Sequence, residues 1–181
     1  MFKQPRLFVI AALLCVQSAL FAASTDCKKH HCIAIVDAGS TGSRAHIYSY
    51  DLDQTQSAVN VIEVWSKKIK PGLATIDANP SAVKSYLDTL FAEAPDSKMP
   101  LHFYATAGMR LLPQPQQKAL YDLVQSWFAG QSRWDLKSAR TISGKEEGLF
   151  GWVSLNYQQG ALGNLAKAPS GVMDMGEPLF R

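Results

Sequence analysis

The chain has 181 residues, 47% of them hydrophobic, enough to bury one good core: a single domain plus a remnant. Its formal charge of +3 counts Lys3 and Arg6, and falls to +1 once the first 24 residues are set aside. That balance leaves no polybasic surface for nucleic acid or anionic lipid.

Lys3 and Arg6 precede an apolar run, Leu7 to Val16, and small residues follow at Ala22, Ala23 and Ser24. This is the layout of a secretory signal peptide over residues 1–24, cleaved near Ala22 to Ser24, and the run is too short to span a bilayer. Leu14, rather than a small residue, precedes Cys15, so Cys15 is no lipoprotein acceptor. A secreted or periplasmic protein is expected, with no membrane association after signal removal. Cys27 and Cys32 then lie in an oxidising compartment, where one local disulfide is the simple expectation. The intervening His30 and His31 make zinc the competing reading, but adjacent histidines in so tight a loop reach tetrahedral geometry poorly.

Ile33-Ala34-Ile35-Val36 is a short apolar strand ending at Asp37, and Gly39-Ser40-Thr41-Gly42-Ser43-Arg44 follows. Small residues let backbone N–H groups converge on an anion, Ser and Thr hydroxyls add donors, and Arg44 offers a planar charged fork. Asp37 suits a hydrated Mg²⁺ or Ca²⁺ that a phosphate shares. A plain Gly/Ser turn between strands is the competing reading.

Arg44 to Tyr50 alternates as a strand with two different faces, on which His46 is a face residue. Val59 to Ile69 is rich in β-branched residues and makes a third strand of an antiparallel meander closed by Pro71-Gly72. Asn79-Pro80 starts a helix whose apolar positions run from Val83 to Ala94, stopped by Pro95. Leu101 to Ala105 reads as a buried strand, Pro115 to Ala129 as a helix ended by Gly130, and Trp134 to Ile142 as a fifth strand. Ser143 to Gln159 is a third helix, and Gly171 to Met173 begins a sixth strand. Right-handed crossovers make the later strands parallel. The class is α/β, a mixed sheet with helices packed on it, and ligands in such sheets gather at strand carboxyl ends.

Three features at those ends carry chemistry. Thr106-Ala107-Gly108-Met109-Arg110 is a second small-residue turn closed by an arginine, so two such turns suit one polyanionic ligand. Ser143 and Glu146 have capping-box spacing, which gives Glu146 a structural task and leaves Glu147 as the candidate base toward a water attacking phosphate. Asn156 falls within the apolar stripe Leu149, Trp152, Val153 and Tyr157; its amide either ties the helix down or points into the site. Asp174 in Val172-Met173-Asp174-Met175-Gly176 repeats the pattern at Asp37, and the two could hold one divalent ion from opposite sides through its waters.

These four stretches resemble, in order, signature regions of the apyrase family, the ecto-nucleoside triphosphate diphosphohydrolases, and in particular a bacterial secreted member. The resemblance runs from about residue 33 to 176. It implies the RNase H-like first lobe of an actin-like two-lobed fold over residues 25–170, with 171–181 as the cut-short start of the second. It further implies Glu147 as catalytic base and Asp37 and Asp174 as metal holders through water. Gly39, Ser40, Thr41, Gly42, Ser43, Arg44, Thr106, Ala107, Gly108, Arg110, Asn156 and Gly176 would be the phosphate-binding residues. The implied reaction is removal of terminal phosphate from nucleoside tri- and diphosphates, with Mg²⁺ or Ca²⁺ as cofactor. After Gly176 the chain departs from the family pattern: Glu177 places negative charge and Pro178 removes an N–H where the second phosphate loop should offer donors. The expectation is therefore a fragment with little or no turnover. An exopolyphosphatase of the same superfold, or a non-catalytic exported nucleotide-binding module, are the alternatives.

Overall fold

The computed structural model describes residues 26–162 and 166–173. The leader, Asp174, Gly176 and Glu177 lie outside the described residues. Among the described residues no helix is long and apolar enough to cross a membrane. Cys27 and Cys32 are joined as a disulfide, so neither sulfur is available as a zinc thiolate.

Five strands form one sheet in the order β3-β2-β1-β4-β5. They are β1 (His31–Ala38), β2 (Ser43–Leu52), β3 (Ala58–Ile69), β4 (Met99–Ala105) and β5 (Trp134–Thr141). β1 pairs antiparallel with β2, which pairs antiparallel with β3, giving the expected meander. β1 also pairs parallel with β4, as a crossover connection requires. His46 is a strand-face residue whose Nδ1 lies 2.8 Å from Glu63 Oε2. The expected sixth strand is not formed in the described residues: 171–173 carry no ladder, and the positions that would extend the run lie beyond them.

The alternation in β1 sorts its side chains. Ala34, Val36 and Ala38 are buried, whereas Asp37 is exposed on the opposite face. Helix α1 (Pro80–Leu90) and helix α3 (Gln114–Ala129) supply the other half of the core through Val83, Leu87, Leu90, Leu120, Val124 and Phe128. Between them runs the four-residue helix α2 (Ala107–Arg110). Phe91 locks the helices together, stacking at 5.5 Å on Trp127 and meeting Trp134 at 4.8 Å. The backbone turns out of the helix here, so α1 stops at Leu90 rather than running to Ala94. Phe91 leaves the helical conformation as the C-cap, and Glu93 follows with φ +69°.

Asn79 caps α1 as its position predicts, its side chain accepting from the Ala82 N–H at 2.9 Å. Asn79→Ala is expected to cost about 1 kcal/mol, read as a lower urea midpoint at unchanged slope.

The fold divides after Arg140 into two compact units. The second contains helix α4 (Gly144–Gln158).

Candidate functional site

Asp37 is the penultimate residue of β1. Its cross-strand neighbour in β2 is Arg44, and its parallel neighbour in β4 is Tyr104. Directly opposed residues share a sheet face, so Asp37 and Arg44 form an opposite-charge pair on the face away from the core. Arg44, read both as the close of the turn and as the start of the Arg44–Tyr50 strand, lies in β2; so does Ser43, which is wholly buried. The turn proper is therefore 39–42, with Ser40 and Thr41 exposed at its tip.

Three glycines let this turn sit against its surroundings. A Cβ on Gly42 would lie 2.5 Å from the Ile69 carbonyl oxygen. One on Gly72 would lie 2.4 Å from the Ser40 oxygen and 2.6 Å from the Gly39 oxygen. One on Gly108 would come within 2.9 Å of Ser40 Cα. The first turn is thus held on one side by the chain leaving β3 and on the other by α2.

The second predicted turn is a helical turn rather than an open loop. Thr106 precedes α2, and its carbonyl accepts from the Met109 N–H at 3.1 Å. The reason is Met109, only 1% exposed: anchoring that side chain in the core winds the backbone after β4. The Thr106 N–H donates to the Ala38 carbonyl at 3.1 Å, tying the two strand ends together. Asp37, Gly39 to Gly42 and Thr106 to Gly108 are consequently one cluster, while Arg110, half-buried, closes α2.

In the second unit, α4 opens with the predicted capping box. The Ser143 N–H donates to Glu146 Oε2 at 2.9 Å, and the Glu146 N–H to Ser143 Oγ at 3.2 Å. Glu147 stands next to it in the first turn, half-buried. Asn156 is fully buried, and of its two open readings the structure displays the tie. Its Nδ2 donates to the Trp152 and Ser170 carbonyls at 2.9 and 3.0 Å, and its Oδ1 accepts from the Ser170 N–H at 2.7 Å. The apolar stripe is not a core face here: Leu149 is 54%, Val153 40% and Tyr157 38% exposed. Phe150 and Leu155 spread apolar positions around the helix, so it lacks one dominant buried side.

Sequence reasoning missed the supports. Gly72 reads only as the closure of the meander and Tyr86 only as a core position of α1. Yet the Tyr86 hydroxyl lies 2.8 Å from Ser43 Oγ and 3.0 Å from the Pro71 carbonyl oxygen. Burial pushes the Tyr86 phenol above its ordinary pKa, with the Ser43 hydrogen bond acting the other way, so it stays protonated at neutral pH. The Pro-Gly pair closing the meander was the available signal for the first, since an obligatory glycine often marks close backbone approach.

The sequence model of a family described as GDA1/CD39 (nucleoside phosphatase) matches residues 23–178, which takes in both turns, the first turn of α4 and Asp174. The chain belongs to that family. Among curated GDA1/CD39-like relatives, it is 34% identical over 158 residues to a guanosine-diphosphatase of Candida albicans, covering 80% of this chain and 26% of that one. It is 31% identical to a nucleoside-triphosphatase of Pisum sativum, covering 78% and 33% respectively. The chain thus spans about a quarter to a third of the length of these relatives. The crystal structure of a nucleoside triphosphate hydrolase from Neospora caninum superposes with a TM-score of 0.51 at 15% identity, over 84% of this chain and 35% of that one. The likeness to that structure bears out the expected α/β lobe.

Proposed function

We propose that the cluster at the ends of β1 and β4 is the phosphate cradle of a nucleoside tri- and diphosphate hydrolase. The observation that carries the reading is the junction of two small-residue turns beside an exposed carboxylate, at adjacent parallel strand ends. Backbone N–H groups of 39–42 and the hydroxyls of Ser40, Thr41 and Thr106 bind phosphate oxygens, and Arg44 and Arg110 add charge around them. Glu147 accepts a proton from the attacking water. Asn156 keeps the 166–173 segment on α4 through Ser170.

Among the described residues no three His, Cys, Asp or Glu side chains converge as a metal cage. An ion held through water by one or two carboxylates needs no such cage, so an exposed Asp37 fits Mg²⁺ or Ca²⁺, with Asp174 as its proposed partner. When bound, the ion would neutralise charge on the phosphate oxygens. The Cys27–Cys32 disulfide fits action outside the cytosol, secreted or periplasmic, with residues 1–24 as the signal, 25–170 as the first lobe and 171 onward as the start of a second.

The test is a titration of the chain with ATP, ADP and long-chain polyphosphate in Mg²⁺ or Ca²⁺, followed by amide resonances and by phosphate release. Both nucleotides are expected to shift the resonances of 37–44 and 106–110, and Asp37→Asn to remove the divalent-ion dependence of binding. Polyphosphate binding in preference to both nucleotides would move the assignment to a polyphosphatase. Nucleotide binding with no phosphate release at any metal would reduce the chain to a binding module.

A further inference from the structure

The donors proposed for phosphate in the first turn are mostly backbone N–H groups, so whatever fixes that backbone fixes the site. Ser43 immediately follows the turn, and its side chain is fully buried. Pro71 immediately precedes Gly72, whose Cα faces the Gly39 and Ser40 carbonyls so closely that a Cβ would overlap them. The Tyr86 hydroxyl touches both anchors, at 2.8 Å to Ser43 Oγ and 3.0 Å to the Pro71 oxygen. Tyr86 is itself 7% exposed and sits in the middle of α1.

A phenol carries one proton and a carbonyl can only accept. Both contacts are satisfied together when the phenol donates to Pro71 and the Ser43 hydroxyl donates to the phenol oxygen. In that arrangement the Ser43 proton is committed to Tyr86 rather than to a phosphate. A phenylalanine would fill the same core volume, so the hydroxyl is not needed for packing. What it adds is a link between the exit of the turn, the seat beneath it and a core helix.

We propose that Tyr86 and Ser43 are positioning residues for the phosphate-binding turn 39–42, joined in one hydrogen-bonded strut that runs from α1 to the turn and to its Pro71-Gly72 seat. The assignment rests on the phosphate-hydrolase reading for its functional consequence and on geometry alone for its structural one. Two separate readouts keep those parts distinguishable.

The experiment compares Tyr86→Phe, Ser43→Ala and the double variant of the full chain, using backbone ¹⁵N order parameters and titration with Mg²⁺–ADP. Each single change is expected to lower the order parameters of 39–42 from the rigid range near about 0.85 toward the flexible range below about 0.6, leaving α1 rigid. Each is expected to weaken Mg²⁺–ADP binding about fivefold, and the double variant to be no worse than either single, because both remove the same link. Order parameters and affinity unchanged while the melting temperature falls would make Tyr86 a core residue only and overturn the proposal. Single effects that multiply in the double variant, to about 25-fold, would break the strut into two independent contacts. If Tyr86→Phe does not fold, Ser43→Ala alone decides, since it removes one hydroxyl from the same link. If the unaltered chain does not bind Mg²⁺–ADP, the hydrolase reading fails, and the order parameters alone decide whether the strut exists.

Discussion

Gly72→Ala will unseat the 39–42 turn, lowering stability and weakening Mg²⁺–ATP binding at least about tenfold. The cause is steric, because Gly72 has φ −70° and ψ 153°, a conformation any residue adopts without strain. The added methyl would stand 2.4 Å from the Ser40 oxygen, 2.6 Å from the Gly39 oxygen and 2.8 Å from the Ser40 carbonyl carbon. All three are backbone atoms of the turn, so no flexible side chain can swing aside. Either the turn or the chain leaving β3 must move, and overpacking of this kind costs roughly 1–3 kcal/mol. Thermal unfolding and a nucleotide titration on the same preparation check both consequences. Gly148→Ala is the control: it lies inside α4, nothing approaches its added Cβ within 4 Å, and it gains helix propensity. A Gly72→Ala chain that melts and binds like the unaltered one would show that the turn is not seated on Gly72.

The strands and helices were legible because each obeys a local rule. A short apolar run ending in Asp37 marked β1, alternation marked β2, an Asn-Pro pair marked the start of α1, and Ser143 with Glu146 marked the start of α4. Two departures arose from the local pattern. Burial of Met109 winds Thr106 to Arg110 into a helical turn, and the backbone leaves the helix at Phe91, with Glu93 at positive φ, before the proline that should have stopped it. Ser43 shows the same limit within the site. Composition marks it as a phosphate donor beside Ser40 and Thr41, but the alternation of β2 turns it inward to Tyr86, 43 residues away. The seat at Gly72 was hidden for a similar reason, since only the folded chain brings it against Gly39 and Ser40.

Glu147→Gln is expected to cut whatever slow phosphate release this chain supports from ATP and ADP by about 10²- to 10⁴-fold, the usual loss when a general base is removed. A radiolabelled-phosphate assay run for hours resolves even slow turnover. Glutamine keeps the size of the side chain and its capacity to orient a water, but cannot take the proton that must leave as the oxygen attacks phosphorus. Binding of Mg²⁺–ADP should stay within about twofold, because the lost interaction belongs to the transition state. The neighbouring glutamate supplies the control. Glu146 Oε2 accepts from the Ser143 N–H at 2.9 Å and lies 3.0 Å from Ser143 Oγ, so its carboxylate serves the helix start. Glu146→Gln should therefore cost up to about 1 kcal/mol of stability and change release only a few-fold. Two adjacent carboxylates in one helical turn differ in sequence position by a single residue, and the capping box is what separates their tasks. If Glu146→Gln abolished release while Glu147→Gln left it intact, the base would have been assigned to the wrong glutamate. If neither mattered, proton removal in this site would not depend on the start of α4.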